Sequence, residues 1–478
     1  TVIGNAMTDK LKNIILLLIC LLATKISFGQ RERTANWYFG YNAGLKFLPT
    51  VASDTLGQIF TWEGCSSISD SCGNLLFYTD GSTVYNKSHS IMTNGTGLEG
   101  DFSSTQSALI IPKPQNDSIY YIFTTGGATG HYCYSEINMN LSGGFGAVIS
   151  KNNYLCFNYY NQKQTAIMHC NNQDVWVVCG DSTGNNFYSY LINNLGISST
   201  PIVSSIGVRI GGLGYLKFSP DGNYLANTFV NTGSDSLSIS QFNNCSGQVT
   251  GFLSCPSDTC VYGLSFSPNS SKLYAANTWC TNTLSDLWQY DLSSGVPSTI
   301  ISTKTLIKHL PDSLFYGALQ LGADNRIYVS KYKYGPIGLN YLATINNPDA
   351  AGILCNYSDS TISISPRTNV IGLPNFIESY FNTNYSCPNI TNIKSQNNFD
   401  IVKIHPNPFS TATTISISNN TFRKYEFRLY DNMGVLKRNF TLNNGATELN
   451  KKELASGLYF YQVVSDNKLL DNGKLIIE

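Results

Sequence analysis

Residues 180–184 are the one segment whose spacing fits a nucleophilic serine. Gly180-Asp181-Ser182-Thr183-Gly184 has the G-x-S-x-G pattern of a hydrolase elbow and follows an apolar run, Val175 to Cys179. An elbow needs a helix behind its serine, but residues 185–191 read as a second strand. The pattern therefore predicts a hairpin turn, and we predict no catalytic residue. A triad completed by His309 and an aspartate is the alternative.

Metal and cofactor chemistry finds no support in the spacing of ligating residues. The five histidines form no H-x-x-x-H pair, and no C-x-x-C pair occurs, so no metal site is predicted. The phosphate-binding G-x-x-x-x-G-K-[ST] loop is absent, and we predict no cofactor. Before residue 378 the only glutamates are Glu63, Glu99 and Glu136, once Glu32 near the terminus is set aside. Distant loops could still assemble a carboxylate pair for an enzyme.

The cysteines indicate disulfide bonds rather than zinc ligands. Setting Cys20 aside leaves twelve cysteines, an even number, and an oxidising compartment makes disulfides the default. Short separations across hairpins predict three bridges: Cys65–Cys72, Cys170–Cys179 and Cys260–Cys280.

Two tyrosine pairs are candidates for an aromatic binding platform. Tyr332 and Tyr334 alternate with lysines, and Tyr159-Tyr160 is flanked by asparagines. Exposed rings of this kind stack on sugars or on bases. The alternative is that these tyrosines are strand residues with one face packed inside a sheet.

The N-terminal segment predicts export. Lys10 and Lys12 precede an unbroken apolar run, Ile14 to Ala23, and Ser27-Phe28-Gly29 offers small residues for cleavage before Gln30. Residues 1–29 are therefore read as upstream sequence and signal peptide. A run of ten apolar residues is shorter than the roughly 20 that span a bilayer, so we predict no transmembrane anchor; a retained anchor is the alternative.

Composition excludes one class of partner and favours one fold class. Thirty basic and thirty acidic residues cancel, which argues against nucleic acid bound through bulk charge. The chain has 30 Tyr, 24 Phe and 40 Gly, and this composition favours strands and turns over helices. We predict an all-β protein.

A strand–turn–strand unit repeats through the middle of the chain. Phe218-Ser219-Pro220-Asp221-Gly222 leads into Asn223-Tyr224-Leu225-Ala226, and residues 321–329 align on this unit without gaps. Similar anchors at 68, 110, 168, 218, 266, 321 and 373 stand 42 to 58 residues apart. This period fits a propeller blade of four strands and predicts a seven-bladed β-propeller; six or eight blades, or a pair of β-sandwiches, are the alternatives.

The ends of this region predict how the ring closes. The last anchor, Ile371 to Phe376, lacks a hairpin partner, and we expect Trp37-Tyr38-Phe39-Gly40 and Leu45-Lys46-Phe47 to complete its sheet. The turn at 218–222 resembles those of TolB-like and YVTN-type propellers, which are related to WD repeats. The two ends are similar to those of surface propellers that carry type IX sorting domains.

The last 78 residues resemble a known export signal. His405-Pro406-Asn407-Pro408-Phe409, a turn ending at Gly434 and the run Leu454 to Tyr459 are similar, in order and spacing, to the type A C-terminal sorting domain of the type IX secretion system. The resemblance implies a small Ig-like sandwich that an outer-membrane translocon recognises and a sortase-like peptidase removes. The residues that carry the motif are Pro406, Asn407, Pro408, Phe409, Gly434, Gly457, Tyr459 and Lys474.

The sequence thus predicts four segments: 1–29 upstream residues and signal peptide, 30–387 propeller, 388–400 linker and 401–478 sorting domain. The protein is expected to pass through the periplasm to the outer cell surface or the medium. Its predicted role is non-catalytic binding or adhesion, with a glycan or protein as ligand. The alternative is a secreted hydrolase or lyase whose site lies at the mouth of the propeller channel.

Overall fold

The chain divides into two compact units, and the boundary between them falls between Tyr385 and Ser386. The computed structural model describes residues 30–126, 130–157, 161–181, 185–207, 210–230, 237–255, 260–279, 285–335, 337–382, 402–417, 425–431, 435–442, 446–465 and 468–478. Strands dominate both units, so the predicted all-β class is confirmed.

The first unit is a succession of antiparallel sheets in chain order. Its opening sheet has three strands: β1 (Asn36–Phe39), β2 (Ala43–Lys46) and β3 (Ala52–Asp54). A larger sheet follows: β4 (Cys65–Ser69), β5 (Leu75–Thr79), β6 (Thr83–Asn86), β7 (Ile91–Thr96), β8 (Ala108–Pro112), β9 (Ile119–Thr125), β10 (His131–Asn138) and β11 (Ala147–Phe157). It consists of two antiparallel groups, β4–β7 and β8–β11, which are joined by a single parallel pair, Ala147 with Thr93.

The remaining sheets of this unit repeat the same up-and-down order. The third comprises β12 (Gln164–Met168), β13 (Val175–Gly180), β14 (Asn186–Asn193), β15 (Gly196–Ile197) and β16 (Ile202–Ser205). The fourth comprises β17 (Leu216–Phe218), β18 (Tyr224–Thr228), β19 (Leu237–Asn243) and β20 (Gln248–Ser254). The fifth comprises β21 (Val261–Phe266), β22 (Lys272–Asn277), β23 (Asp286–Asp291) and β24 (Thr305–His309). The sixth comprises β25 (Leu314–Leu321), β26 (Ile327–Lys333), β27 (Ile337–Gly338), β28 (Tyr341–Ile345) and β29 (Tyr357–Ser363).

Helical segments of this unit are short. Among its described residues, one α-helix, Pro297–Ser302, lies between β23 and β24, and the 3-10 helices are Arg31–Thr34, Ser142–Gly144, Gly352–Cys355 and Glu378–Phe381.

The repeated turn forms the predicted hairpin. Phe218 pairs with Leu225 across the turn, and Ser219 N–H donates to the Tyr224 carbonyl at 2.9 Å. Asp221 accepts the Asn223 N–H at 3.1 Å, while Gly222 takes φ +77°, which favours glycine. The equivalent hairpins at β4–β5, β8–β9, β12–β13, β21–β22 and β25–β26 are also present.

First strands of successive sheets surround a common axis, and the arrangement is a β-propeller. Lys217 on β17 contacts Gln320 on β25, two sheets away, so both side chains point towards the centre. The ring closes where Trp37 on β1 packs against Tyr328 on β26, with ring centroids 5.3 Å apart. The two ends meet, since Tyr41 N–H donates to the Thr368 carbonyl at 2.9 Å. The predicted completion of the last anchor's sheet by residues 37–40 and 45–47 is wrong, because β1 to β3 form a sheet of their own.

The end of the propeller segment runs across the central axis. Strand β30 (Pro374–Asn375) pairs in parallel with β4, and Ile377 then forms a parallel bridge with Ala166 of β12. The following 3-10 helix, Glu378–Phe381, is buried throughout. This segment therefore ties together sheets that are far apart in sequence.

The strands described in the second unit form two sheets. One comprises β31 (Val402–His405), β32 (Ala412–Ile417) and β35 (Ala446–Asn450). The other comprises β33 (Tyr425–Tyr430), β34 (Leu436–Leu442), β36 (Gly457–Ser465) and β37 (Lys468–Ile477). Its buried core includes residues from both sheets, among them Ile415, Phe427, Val463 and Leu475.

The disulfide predicted between Cys170 and Cys179 is wrong, because Cys170 bridges Cys245 with Cα atoms 5.0 Å apart. Cys170 follows the end of β12, whereas Cys179 pairs with Gln164 at the start of that strand. The predicted partners lie at opposite ends of one hairpin, and the bridge instead joins the turns of two neighbouring sheets.

The Cys65–Cys72 pairing fails for the same reason. Both cysteines are free thiols. Cys65 begins β4, and Cys72 lies in the turn beyond the far end of this five-residue strand. A strand of this length spans about 16 Å, whereas the Cα atoms of bridged cysteines lie within about 7 Å of each other. Cys260 is disulfide-bonded, but Cys280 lies outside the described residues, so their pairing stays a prediction.

No helix among the described residues is both long enough and apolar enough to cross a membrane.

Candidate functional site

We call the face of the propeller at which the first strand of each sheet begins the upper face. Residues just before β4 and β8 lie there side by side: Trp62 N–H donates to the Phe102 carbonyl at 3.1 Å. Residues just after the second strands also reach this face, since Val261 pairs with Asn277 and Leu314 with Lys333. Segments from most of the chain therefore converge here.

Six aromatic residues of the upper face form what we call the aromatic rim: Tyr41, Phe60, Trp62, Phe102, Trp279 and Tyr334. Tyr41 and Phe60 stack with centroids 4.3 Å apart and planes 5° apart, and Trp62 meets Phe102 edge-on at 5.0 Å. The Trp62 Nε1–H donates to the Tyr41 hydroxyl at 2.8 Å, which fixes the indole. Phe60 and Phe102 are 60% and 46% exposed, so apolar ring surface faces outward.

Trp279 and Tyr334 form a second exposed part of the rim. Their centroids lie 5.3 Å apart with the planes at 63°, and they are 47% and 65% exposed. The platform predicted at Tyr334 therefore has an exposed ring, but its partner is Trp279.

Tyr332 does not belong to a platform, so that part of the prediction is wrong. It is 8% exposed, packs against Phe315 at 5.7 Å and shares a 2.7 Å hydrogen bond with Thr278. Tyr332 lies inside β26, where the neighbouring sheet covers its ring, whereas Tyr334 lies beyond the end of the strand. Tyr159 and Tyr160 lie outside the described residues.

Beneath the rim lies a group of buried polar side chains that we call the polar chamber: Glu63, Thr105, Tyr215 and Tyr262. Glu63, Tyr215 and Tyr262 are all buried, and Tyr262 and Thr105 are hydrogen-bonding neighbours of the Glu63 carboxyl group. The two tyrosine rings meet edge-on at 5.4 Å. A buried carboxyl group with a strongly raised pKa beside two buried tyrosines marks the chamber as a candidate functional site.

Burial controls the protonation of the chamber. It raises the pKa of Glu63 to about 8, and the nearby Asp101 carboxylate adds to this effect, whereas Tyr262 and Thr105 oppose it. Burial also raises the pKa of Tyr215 and Tyr262 well above the ordinary tyrosine value. Removal from water disfavours the charged form of each acid, so the chamber is neutral at pH 7.

Two lysines next to the chamber are buried but have their partners. Lys163 Nζ donates to three oxygens: Ile210 carbonyl at 2.6 Å, Asn227 Oδ1 at 2.9 Å and Thr228 carbonyl at 2.6 Å. Lys217 Nζ lies 3.0 Å from Glu378 Oε1 and also contacts Gln320. Burial raises the pKa of Glu378, and Lys217 counteracts that rise.

A carboxylate–histidine pair lies beside the rim. Glu99 Oε2 is 2.6 Å from His131 Nδ1, and Glu99 Oε1 accepts the Tyr154 hydroxyl at 2.7 Å. Each side chain is partly exposed. This arrangement orients an imidazole at the surface, which is one requirement of acid–base chemistry. Among the described residues, no three His, Cys, Asp or Glu side chains gather as metal ligands.

The predicted sorting motif converges on the last strand of the second unit. Asn407 Nδ2 donates to the Lys474 carbonyl at 2.9 Å, and its Oδ1 accepts the Ile476 N–H at 2.8 Å. Phe409 is 3% exposed and forms a parallel bridge with Ile477. Residues far apart in the motif are thus neighbours around β37.

The other motif residues pack in the same region. Gly457 pairs with Ile477 and Tyr459 with Leu475, and the Tyr459 hydroxyl donates to the Ala455 carbonyl at 3.0 Å. The Pro406 carbonyl accepts the Thr413 hydroxyl at 2.6 Å. Pro408 lies between Asn407 and Phe409, each of which contacts β37. Gly434 lies outside the described residues.

Comparison with known proteins identifies the tail. Residues 403–478 match the family described as the secretion system C-terminal sorting domain. The type IX sorting domain implies export to the cell surface or the extracellular space, and it implies interaction with the type IX secretion system. No match is found among the curated proteins.

Several solved structures are similar to the chain. A quinoprotein alcohol dehydrogenase-like protein from Bacteroides thetaiotaomicron is 14% identical, covers 72% of this chain and 76% of its own, and gives a TM-score of 0.37. The β-propeller domain of the Trilobed protease from Pyrococcus furiosus is 7% identical, covers 77% and 93%, and gives 0.26. Hydrazine synthase from Kuenenia stuttgartiensis is 11% identical, covers 58% and 72%, and gives 0.35.

Sequence reasoning missed Trp279 and the whole polar chamber. Trp279 lies two residues beyond the end of β22, and Tyr334 lies one residue beyond the end of β26. An aromatic residue just past the end of a second strand was therefore a usable signal. Glu63 offered only the scarcity of glutamate in this region.

Proposed function

We propose that the protein is a secreted or surface-attached β-propeller that binds a glycan or protein through its aromatic rim, without catalysis. The observation that carries this proposal is the exposed Trp279–Tyr334 pair. Exposed aromatic surface on a soluble domain marks binding sites, and flat rings match the apolar faces of sugars as well as protein side chains. Export by residues 403–478 would place this rim where such ligands occur.

The proposed organisation has four segments. Residues 1–29 are upstream sequence and signal peptide, 30–387 the propeller, 388–400 the linker and 401–478 the sorting domain, folded as a small Ig-like sandwich. Seven blades are supported by the strand order when β1–β3, β4–β7, β8–β11 and the four remaining sheets are each counted as one blade. The tail would bind the type IX translocon and then a sortase-like peptidase that cuts in the linker.

A hydrolase or lyase is the second candidate. The Glu99–His131 pair supports it, since a carboxylate 2.6 Å from an imidazole nitrogen can orient a general base. Replacement of His131 by Gln would abolish turnover of any substrate but leave rim binding intact. If Trp279→Ala loses binding but keeps turnover, the aromatic rim and the Glu99–His131 pair have separate roles.

Binding to an array of glycans and surface proteins tests the main proposal. The chain from Gln30 to Glu478 is compared with Trp279→Ala and Tyr334→Ala, which remove one exposed ring each and should weaken binding by about tenfold or more, because one stacked ring contributes roughly 1–3 kcal/mol. Phe145→Ala is the matched control, since Phe145 is 41% exposed but lies outside the rim. Equal binding by all four proteins would contradict the proposal.

A further inference from the structure

The propeller has a second candidate site on its lower face, where the first strand of each sheet ends. A cavity of about 240 Å³, which we call the lower pocket, lies between residues 112–117 of the β8–β9 turn and residues 172–173 of the β12–β13 turn, beside Arg33 and Tyr380. Gln115, Asn172 and Gln173 line it and are exposed, so a ligand can enter from solvent. Pockets for drug-sized ligands measure roughly 300–1,000 Å³, and the lower pocket therefore suits a smaller group, such as one sugar ring.

Hydrogen bonds and a disulfide hold the walls of the lower pocket in place. Asn116 Oδ1 accepts the Ser118 N–H at 2.9 Å, which fixes the first turn. The second turn contains Cys170, and its disulfide ties this turn to the neighbouring sheet. Gln115 Nε2 donates to Gln173 Oε1 at 2.8 Å and joins the two turns to each other. Because the walls are already ordered, binding loses little entropy in arranging them.

The charges of the lower pocket favour an anion. Arg33 and Lys113 line it, and Asp117 is the one acidic residue that the described residues contribute to the lining. Tyr120 is a hydrogen-bonding neighbour of Arg33, but a guanidinium has five N–H donors, more than one hydroxyl oxygen accepts. Asp117 and Asp70 interact with Arg33 electrostatically, yet neither of these described carboxylates is close enough to form an ion pair with it. Arg33 therefore has donors left for the carboxylate of a ligand.

The uncharged lining indicates what carries that carboxylate. Five carboxamide side chains face the pocket: Gln30, Gln115, Asn116, Asn172 and Gln173. A carboxamide offers both donors and an acceptor, and a hydroxyl group also does both, so this set matches a ligand with several hydroxyl groups. The buried rings of Tyr120 and Tyr380 add flat apolar surface, which fits one face of a sugar. A peptide C-terminus would supply the carboxylate but no row of hydroxyl groups.

We propose that the lower pocket binds a uronic acid, which is a sugar ring that carries a carboxylate. Arg33 holds the carboxylate through two parallel N–H bonds, Lys113 adds a second positive charge, and the carboxamides bond the ring hydroxyls. The corresponding ligands are acidic polysaccharides and their fragments. This inference does not depend on the proposed role of the aromatic rim, because the rim lies on the opposite face of the propeller.

Saturation-transfer NMR of the chain from Gln30 to Glu478 with methyl β-D-glucuronide tests this inference. We expect saturable binding with a dissociation constant of about 1–10 mM, as suits one small ring. Methyl β-D-glucoside has the same ring without the carboxylate, and acetate has a carboxylate without the ring; each should bind about tenfold more weakly or worse. Equal binding of either compound would overturn the assignment, as would no binding of the glucuronide up to about 100 mM. Tighter binding of N-acetylalanine would also overturn it, since that compound represents a peptide C-terminus.

Variants locate the site. Arg33→Gln removes the charge and the fork of donors and should weaken glucuronide binding about tenfold or more. Lys113→Gln, in a partly exposed turn, should weaken it about threefold, because solvent screens that charge, and it keeps the test decisive if Arg33→Gln fails to fold. Lys87→Gln is the matched control, since Lys87 is exposed and lies outside the pocket; it should bind like the unaltered chain. Unchanged affinity in both Arg33→Gln and Lys113→Gln would refute the proposal.

Discussion

Replacement of Glu63 by glutamine should make the propeller less sensitive to alkaline pH. Glu63 is fully buried, and burial raises its pKa from 4.5 to about 8. An acid with a raised pKa in the folded state binds its proton more tightly when folded than when unfolded. Its contribution to stability is therefore fully present below pH 4.5 and is lost as the pH rises towards 8.

The size of this loss of stability follows from the difference between the unfolded and folded pKa values of Glu63. Each pH unit between the unfolded and folded pKa values corresponds to about 1.4 kcal/mol, so the interval from 4.5 to about 8 gives an upper bound of about 5 kcal/mol. Glutamine has nearly the same shape and no charge to bury. The stability of Glu63→Gln relative to the unaltered chain should therefore rise with pH by up to this amount.

Urea denaturation followed by tryptophan fluorescence measures this difference between pH 5 and pH 8.5. All five tryptophans lie between Trp37 and Trp288, so the signal reports the propeller and not the tail. Glu378, whose pKa is also raised by burial, contributes its own pH dependence to both proteins, and this contribution cancels in the comparison. A difference that stays constant with pH would refute the reasoning, and Glu136→Gln serves as the control.

Three further substitutions test other parts of the structure. Lys217→Met leaves Glu378 buried without its cation and should destabilise the propeller by roughly 3–5 kcal/mol in the same denaturation assay; a loss below about 1 kcal/mol would contradict the buried pair. Cys245→Ser opens a bridge between residues 75 apart and should cost about 4 kcal/mol, while peptide mapping that joined Cys170 to Cys179 would show the bridge to be misassigned. Phe409→Ala empties a buried position against Ile477 and should lower the stability of the tail by about 3–5 kcal/mol, measured by circular dichroism of the altered and unaltered chains. Unchanged tail stability would show that Phe409 does not belong to its core.

The sequence predicted the repeating hairpins because each is specified locally. At 218–225 the turn chemistry of Asp221 and Gly222 and the flanking apolar residues lie within one short segment, and the structure places them as the pattern indicates. Contact between the two ends was predictable because the last anchor, residues 371–376, lacked a hairpin partner. The strand pairing was not, since β1–β3 form their own sheet and β30 pairs with β4.

Errors arose where the answer depended on a neighbouring sheet. Strand alternation could not distinguish Tyr332, which the adjoining sheet covers, from Tyr334, which lies past the strand end. The disulfide pairings assumed that cysteines near one hairpin are near each other, but Cys170 reaches Cys245 in the next sheet. The polar chamber is assembled from residues before β4, β8 and β17 together with one on β21, so no local sequence pattern predicts it.

The C-terminal residue of the mature surface protein shows whether residues 401–478 are an export signal that is removed. Mass spectrometry of the intact protein, recovered from the outer surface or medium of the bacterium that produces it, would locate this residue. We expect a chain that ends between Cys387 and Ile401, and we expect a form lacking residues 401–478 to stay in the periplasm. A surface protein that still ends at Glu478, or export of the truncated form, would contradict the account.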